Sequence, residues 1–292
     1  MSGNLPDNFN HLRVNRDGKI LIVEIDNPPI NLITTPLLVD FINLTKWAQD
    51  DKESTILVLK SAVKNFFIAH FDVEALLSMT QDKDAPVDSL TPFDELCLRF
   101  QKMNKVTICL IEGRVGGGGS EIAMSCDLRF AASGTAVMNQ MEVPIGIIPG
   151  GGGTQRLPKL IGYPRALELI IGGLDLDADT GEKWGYFNRS LPKAELDIYV
   201  DNFLNRVSSF NSEAVRAAKE ALQNAETDLV RGLIKENILF NERNHSESGK
   251  HLMRRFLELG GQTFTQESRI EEFALEVAKS ERRPDNNISE KS

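Results

Sequence analysis

The first half of the chain alternates short apolar runs, which predict strands, with longer periodic patterns, which predict helices. Residues 12–25 contain the turn signal Asp17-Gly18 followed by a β-rich run, a pattern typical of a β-hairpin. Residues 34–50 begin with threonine and proline and carry apolar side chains on one helical face, which predicts a capped helix. Continuous apolar runs at residues 55–59 and 106–111 predict buried strands. This alternation indicates βαβ units and a mainly parallel sheet, so the predicted fold class is α/β.

Helices are also predicted around these strands and throughout the last third of the chain. A short helix at residues 72–79, capped by Asp72, and a second helix at residues 93–104 flank a polar segment, residues 80–91, that we expect to be a mobile surface loop. Long helical patterns then lie near residues 194–208, 212–225 and 228–244. We therefore expect an α/β core over residues 1–200, a helical region over residues 201–280 and a disordered tail over residues 281–292.

Composition and charge narrow the classes of function. The 292 residues include 33 Lys and Arg against 42 Asp and Glu, which gives a net charge of −9. This acidic balance argues against a general nucleic-acid binder, which needs basic charge to displace counterions. No apolar run reaches the length of a membrane span, and the polar N-terminus lacks the pattern of a signal or transit peptide. We expect a cytoplasmic protein with no membrane or nucleic-acid partner, and three cysteines that are reduced core thiols.

Two glycine clusters stand out, at residues 116–119 and 150–153. Neither has the spacing of a phosphate-binding loop, since the patterns G-x-G-x-x-G and G-x-x-x-x-G-K are absent. The first cluster lies between a predicted strand and a predicted helix, whose free N–H groups and positive dipole end suit a developing oxyanion. Glu121 is expected in the first turn of that helix, where a capping role and a catalytic role are both open. The four histidines have no metal-binding spacing, so no metal is expected.

Ordered motifs around these clusters carry a family resemblance. Residues 113–123 read G-x-x-x-G-G-G-x-E-x-A and are followed by Cys126-Asp127. Residues 142–157 read E-x-x-x-G-x-x-P-G-x-x-G-T-Q-R-L, and residues 27–32 and 67–72 have counterparts in the same family. Over most of residues 12–190 the chain thus resembles the enoyl-CoA hydratase/isomerase (crotonase) superfamily.

The resemblance implies a crotonase-like spiral of ββα units over the core. It also implies that the helical C-terminal region makes homotrimers, often as a dimer of trimers. The implied ligand is an acyl-CoA thioester. No metal and no separate cofactor are implied, because coenzyme A is part of the substrate.

The family's functional positions carry over to particular residues. Its oxyanion hole uses two backbone N–H groups, which correspond to Phe71 and Gly118. Its hydratases use two glutamates, and both positions are filled, by Glu121 and Glu142. The resemblance places substrate-binding residues at Ala69, Phe71, Asp72, Val73, Gly117 and Gly118. Retention of both glutamates makes hydration of an enoyl-CoA the leading activity.

Departures from the family pattern keep other functions open. His70 stands where glycine is usual, and we expect its role to be a tolerated backbone conformation, favoured if the position needs φ > 0. Residues 28–31 and 259–262 lack the family's usual basic side chains, so either CoA binds weakly or other basic residues substitute. The alternatives are an isomerase, a hydrolase or decarboxylase acting on an acyl-CoA or a β-dicarbonyl compound, or a non-catalytic trimeric member. An assay with crotonyl-CoA distinguishes them.

Overall fold

The computed structural model describes residues 5, 6, 8–78, 89–223 and 229–279. Residues 80–88 of the surface loop predicted at 80–91 lie outside the described residues. The predicted tail at 281–292 lies wholly outside them. The described residues form two sheets with helices packed around them, which confirms the mixed α/β class.

Ten strands build the two sheets. In chain order they are β1 (Leu12–Asp17), β2 (Ile20–Ile25), β3 (Ile56–Ser61), β4 (Phe66–Ile68), β5 (Val106–Ile111), β6 (Arg114–Gly116), β7 (Leu128–Ala132), β8 (Val137–Asn139), β9 (Leu176–Asp177) and β10 (Arg189–Leu191). The larger sheet has the order β1-β2-β3-β5-β7-β10, and only its β1–β2 hairpin is antiparallel. The smaller sheet has the order β4-β6-β8-β9.

Helices cover the sheets and make up the C-terminal third. In chain order they are α1 (Thr35–Asp50), α2 (Val73–Ser78), α3 (Pro92–Lys102), α4 (Gly117–Ser125), α5 (Gly153–Ile161), α6 (Tyr163–Gly172), α7 (Ala178–Trp184), α8 (Lys193–Ser208), α9 (Ser212–Gln223), α10 (Leu229–Asn244), α11 (Glu247–Glu258), α12 (Phe264–Glu267) and α13 (Ile270–Lys279). A short 3₁₀ helix, Val143–Ile145, lies between β8 and α5.

Capping chemistry places the helix starts close to the predicted positions. The Thr34 side chain accepts the N–H of Leu37 at the start of α1. Thr91 and Asp94 form a reciprocal capping box at the start of α3, one residue before the predicted start of that helix. Asp72 accepts the N–H of Glu74 at 3.1 Å, which confirms its capping role for α2.

Two chain connections bring the start of α4 beside the loop that follows β4. β4 pairs in parallel with β6, and β6 runs directly into α4 without an intervening loop. The chain that follows β4 makes a parallel bridge between Ile33 and Phe71. All nine residues of α4 are buried, so this helix passes through the interior. Its N-terminus therefore lies inside the protein, beside the loop that follows β4.

The C-terminal helices complete the core from two sides. Leu196, Val200 and Leu204 of α8 pack against the larger sheet, and the predicted division at residue 200 falls within this helix. Apolar residues of α11 and α13 pack with α2 and the 3₁₀ segment in a separate cluster. No described helix combines the length and apolar character needed to cross a membrane.

Many apolar side chains of the C-terminal region are buried within the chain itself. Leu229, Leu233, Leu252 and Phe256 are buried in the chain's own core. Other apolar side chains of the region remain exposed; these are Ile198, Phe210, Leu222, Val230, Ile238, Phe264 and Leu275. These exposed side chains are available to an interface between copies.

We predict that the protein assembles as a trimer or a dimer of trimers. Light scattering at micromolar concentration should then give a mass three or six times that of the 32.5 kDa chain. Exposed apolar side chains on several C-terminal helices supply the physical reason, since burial of apolar surface against a neighbour is favourable. A mass equal to one chain would contradict this prediction.

Candidate active site

A cavity of about 240 Å³ lies where the loop after β4, the start of α4, the 3₁₀ segment and α10 meet. Its wall is mostly apolar. Of the predicted site residues, Phe71, Val73, Gly118, Glu121 and Glu142 line it. The other three predicted residues, Ala69, Asp72 and Gly117, do not line it, although each is next in sequence to a residue that does.

Phe71 presents a backbone N–H that has no acceptor among the described residues. The carbonyl of His70 accepts the N–H of Ile33 at 2.9 Å, and the N–H of Asp72 donates to Ile33 at 3.2 Å. The intervening N–H of Phe71 points away from that strand, as alternation along an extended chain requires. A main-chain donor without a protein acceptor is left to a water molecule or a ligand.

Gly118 supplies a second N–H beside the first. It is the second residue of α4, so its N–H has no intrahelical acceptor, and no other described residue accepts it. A methyl carbon added at Gly118 would lie 3.4 Å from Cβ of Phe71 and 3.3 Å from the ring of Phe93. The two segments therefore approach closely, and both residues line the same cavity.

Glu121 lies in the second turn of α4, so the expectation of a first-turn position was wrong. It is 3% exposed and does not cap its own helix. Its Oε1 accepts the N–H groups of Gly151 and Gly153 at 2.8 and 2.9 Å, at the N-terminus of α5. A positive φ at Gly152 turns the chain so that both donors reach one oxygen. Its Oε2 receives no hydrogen bond from the described residues.

Burial dominates the electrostatics of Glu121. Removal from water raises its pKa, and the bonds from Gly153 and Gly151 lower it. The charge of Asp94 raises this pKa further and that of Arg156 lowers it, and the balance lies at about 7. Nη1 of Arg156 is held in place by the carbonyl of Gly151 at 2.9 Å. The Glu121 carboxyl group can therefore exchange a proton near neutral pH.

Glu142 enters the cavity from another wall. It immediately precedes the 3₁₀ helix and is 7% exposed. A methyl carbon added at Gly117 would lie 3.0 Å from its Oε1, so glycine leaves the space that the carboxylate occupies. The carbonyl of Glu142 accepts the N–H groups of Ile145 and Ile147, which fixes its backbone. Two carboxylates and two N–H donors therefore face one apolar cavity.

His70 differs from the sequence-based expectation. Its backbone does not adopt a positive φ; among non-glycine residues described, only Asn31, Asn65 and Gln262 do. The condition of a positive φ, which would favour histidine at this position, is therefore not met, and the tolerated role stays a prediction. Its ring is buried, lines the cavity, and contacts the carbonyl of Phe71 and the carboxylate of Glu267.

Several residues of the site escaped the sequence analysis. Asp94 forms the capping box of α3, and in addition it is fully buried and its charge acts on Glu121. The ring of Phe93, on the same helix, meets that of Phe71 edge-to-face at 5.5 Å. Glu267 has no local signal, because it approaches His70 from a distant part of the chain. The described residues hold no cluster of His, Cys, Asp and Glu suited to a metal ion.

The buried Glu121 generates a prediction for stability. Its pKa rises from 4.5 to about 7 in the folded chain, a difference worth roughly 3 kcal/mol. Between these pH values the unfolded chain has released this proton while the folded chain keeps it, so stability falls as pH rises. We expect the free energy of unfolding of Glu121→Gln, minus that of the wild type, to grow between pH 4.5 and 7 and then level off.

Urea unfolding of both proteins across this range measures that difference, in which the other titrating groups cancel. Parallel curves for the two proteins would contradict the assignment of a raised pKa to Glu121.

Comparisons with known proteins identify the family of the chain. The family model described as "Enoyl-CoA hydratase/isomerase" matches residues 15–267. A short-chain-enoyl-CoA hydratase of Clostridium acetobutylicum is 30% identical over 252 residues, which covers 86% of this chain and 95% of that protein. A crotonyl-CoA hydratase of Syntrophomonas wolfei is 28% identical and covers 86% and 96%.

The fold is also found among solved structures. The crystal structure of a proposed enoyl-CoA hydratase from Streptomyces avermitilis superposes with a TM-score of 0.85 at 32% identity, over 93% of this chain and 99% of that one. The expected crotonase fold is thereby confirmed. On the family match, the sequence relatives and the shared fold together, the chain belongs to the enoyl-CoA hydratase/isomerase family.

Proposed function

We propose that the protein is an enoyl-CoA hydratase that adds water across the α,β double bond of an acyl-CoA thioester. One observation carries the proposal: two buried carboxylates, Glu121 and Glu142, line the same cavity as the N–H donors of Phe71 and Gly118. Relatives named as hydratases of short-chain enoyl-CoA and crotonyl-CoA support the substrate class.

The two N–H groups supply an oxyanion hole in this proposal. Addition of a nucleophile to Cβ moves charge onto the thioester oxygen and forms an enolate. The N–H groups of Phe71 and Gly118 have no protein acceptor among the described residues, so they are available to that oxygen. One such donor is typically worth about 2.7–4 kcal/mol in the transition state.

The carboxylates handle water and its protons. Oε1 of Glu121 is occupied by two backbone N–H groups, which leaves Oε2 to accept a hydrogen from water. A pKa of about 7 allows Glu121 to take the proton as the water oxygen attacks Cβ. Glu142, in its protonated form, holds the same water from the other side and delivers its proton to Cα. The C=C π bond, one O–H bond of water and the O–H bond of Glu142 break, while a C–O bond, a C–H bond and an O–H bond at Glu121 form. Transfer of the proton from Glu121 back to Glu142 then restores the starting state.

The apolar wall suits the acyl chain. Phe93, Ile145, Ile147 and Phe240 surround the cavity beyond the carboxylates. An unsaturated hydrocarbon chain buried here excludes bulk water, which strengthens the electrostatic contacts at the thioester. Coenzyme A enters as part of the substrate, and the proposal uses no further cofactor.

We predict that the wild type removes the absorbance of the conjugated enoyl thioester when it is given crotonyl-CoA. Glu121→Gln and Glu142→Gln should each lower the rate on the order of 10²–10⁴-fold, since each removes a positioned acid or base. The double variant should lose less than the product of the two single effects, because both groups serve one transition state.

Glu95→Gln is a matched control, because it makes the same substitution at an exposed ion pair with Arg99 outside the cavity wall. It should retain the wild-type rate. If the wild type leaves crotonyl-CoA unchanged but converts a 3-enoyl-CoA into the conjugated isomer, the protein is an isomerase and the hydratase proposal is wrong. If it binds CoA esters and changes none, a β-dicarbonyl substrate or a non-catalytic role replaces the proposal.

A further inference from the structure

The loop between β4 and α2 is tied to the C-terminal region by a buried polar network. Nε2 of His70 lies 2.9 Å from Oε1 of Glu267, and the two side chains are only 3% and 1% exposed. The same Oε1 accepts the N–H of Gln262 at 2.7 Å. The Gln262 side chain returns to the loop: it accepts the N–H of Val73 at 2.6 Å and donates to Asp72 at 2.9 Å.

Both ring nitrogens of His70 face oxygen atoms that accept hydrogen bonds. Nδ1 lies 2.8 Å from the carbonyl oxygen of Phe71, which can only accept, so Nδ1 carries a hydrogen. Nε2 faces the Glu267 carboxylate, which would repel a lone pair there and therefore favours the protonated ring. Nε2 and this oxygen lie within ion-pair distance. Together the two contacts favour the protonated ring, an imidazolium whose nitrogens both face oxygen atoms inside the protein.

The groups packed around His70 agree with a protonated ring. Burial lowers the pKa of His70, but the Glu267 carboxylate, with a smaller contribution from Asp72, raises it above the ordinary 6.5. Glu142 approaches from the opposite wall, since a methyl carbon at Gly117 would lie 3.0 Å from both Oε1 of Glu142 and Cβ of His70. The edge of Phe256 covers the ring at a centroid distance of 5.8 Å.

The backbone shows on which side of the loop the imidazolium lies. The N–H of Ile33 donates to the carbonyl of His70, and the carbonyl of Ile33 accepts the N–H of Asp72. Peptide groups alternate along an extended chain, so the N–H and the carbonyl of Phe71 both point away from Ile33. The hydrogen bond from Nδ1 of His70 therefore reaches the Phe71 carbonyl on the side of the loop where the free Phe71 N–H points. Without this hydrogen bond, the carbonyl oxygen would face a developing oxyanion and repel it.

We propose that His70, held by Glu267, is a positioning residue for the oxyanion hole. Its Nδ1–H fixes and covers the Phe71 carbonyl, and its positive charge lies on the side of the loop where the enolate oxygen develops. The inference rests on the proposed function, because it requires the thioester oxygen to bind at the Phe71 N–H. His70 acts through Phe71 and does not exchange protons with the substrate.

Three substitutions separate the hydrogen bond from the charge. His70→Asn keeps an N–H donor near the place of Nδ1 but removes the charge, His70→Leu removes both, and Glu267→Gln removes the partner's charge. The full-length variants are assayed with crotonyl-CoA for kcat and KM across pH. Difference Raman spectroscopy of bound butyryl-CoA, which cannot react, reports the polarisation of the thioester carbonyl without any turnover.

We expect His70→Leu to lower kcat about 10²-fold, comparable to loss of one oxyanion donor. KM should change less than about threefold, because the interaction is made in the transition state. His70→Asn should lie between wild type and His70→Leu, and both should reduce the downward shift of the carbonyl frequency. Glu267→Gln should move the alkaline decline of kcat to lower pH, because it removes the charge that keeps His70 protonated.

Asp51→Asn is a matched control, since it removes the carboxylate partner of the buried Lys105 outside the cavity wall. It should lower stability but leave kcat and the carbonyl frequency unchanged. Should His70→Leu fail to fold, His70→Asn and Glu267→Gln decide the question on the same readouts.

A folded His70→Leu that keeps kcat, the alkaline limb and the carbonyl shift would overturn the inference. If the wild type hydrates no enoyl-CoA, the proposed function fails, and the carbonyl shift of butyryl-CoA then decides the inference alone. Loss of the shift in His70→Leu supports it, and retention overturns it.

Discussion

Close contact between the glycine-rich start of α4 and the chain after β4 determines the geometry of the site. A methyl carbon at Gly119 would lie 2.6 Å from Cβ of Ile68, and one at Gly116 would lie 2.5 Å from the carbonyl of Ala69. Real Cβ atoms do not approach this closely, so glycine is required at both positions. The contact brings the helix N-terminus against an extended loop, and no described residue accepts the N–H of Phe71 on the loop or of Gly118 on the helix. It also carries Glu121 into the interior on the same helix.

The site concentrates charge where water is excluded. Glu121, Glu142 and Asp94 are all nearly or fully buried, and burial raises the pKa of both Glu121 and Asp94. Arg156 and the backbone donors of Gly151 and Gly153 offset part of the cost for Glu121. The result is a carboxyl group that destabilises the fold at neutral pH while it is suited to proton transfer, a conflict between stability and function common in active sites.

Local signals in the sequence predicted the hairpin, the capped helices and a helix start at the glycine cluster of residues 116–119. These features depend on neighbouring residues: Thr34 caps a helix three residues away, and Gly117 begins the helix that carries Glu121. The placement of Glu121 was predicted less well. Its carboxylate is bound by N–H groups 30 and 32 residues further along the chain, which no local periodicity encodes.

Contacts between distant segments explain the remaining differences. His70 was interpreted from its backbone alone, whereas its ring pairs with Glu267 in the C-terminal region. Asp94 has an adequate local role at the start of α3, so nothing in the sequence indicated that Asn237 of α10 also binds it and that its charge acts on Glu121. The sequence shows which residue types are present, but their partners depend on how α10, α12 and the loop after β4 pack together.

The most direct measurement is a crystal structure of Glu142→Gln with crotonyl-CoA, in which slow turnover preserves the substrate and Glu121 keeps its backbone donors. The account predicts the thioester oxygen about 2.7–3.1 Å from the backbone nitrogens of both Phe71 and Gly118. It also predicts the β-carbon between the side chains of residues 121 and 142, with the acyl chain in the apolar part of the cavity. A thioester oxygen that contacts neither N–H, or an acyl chain outside the cavity, would contradict the account.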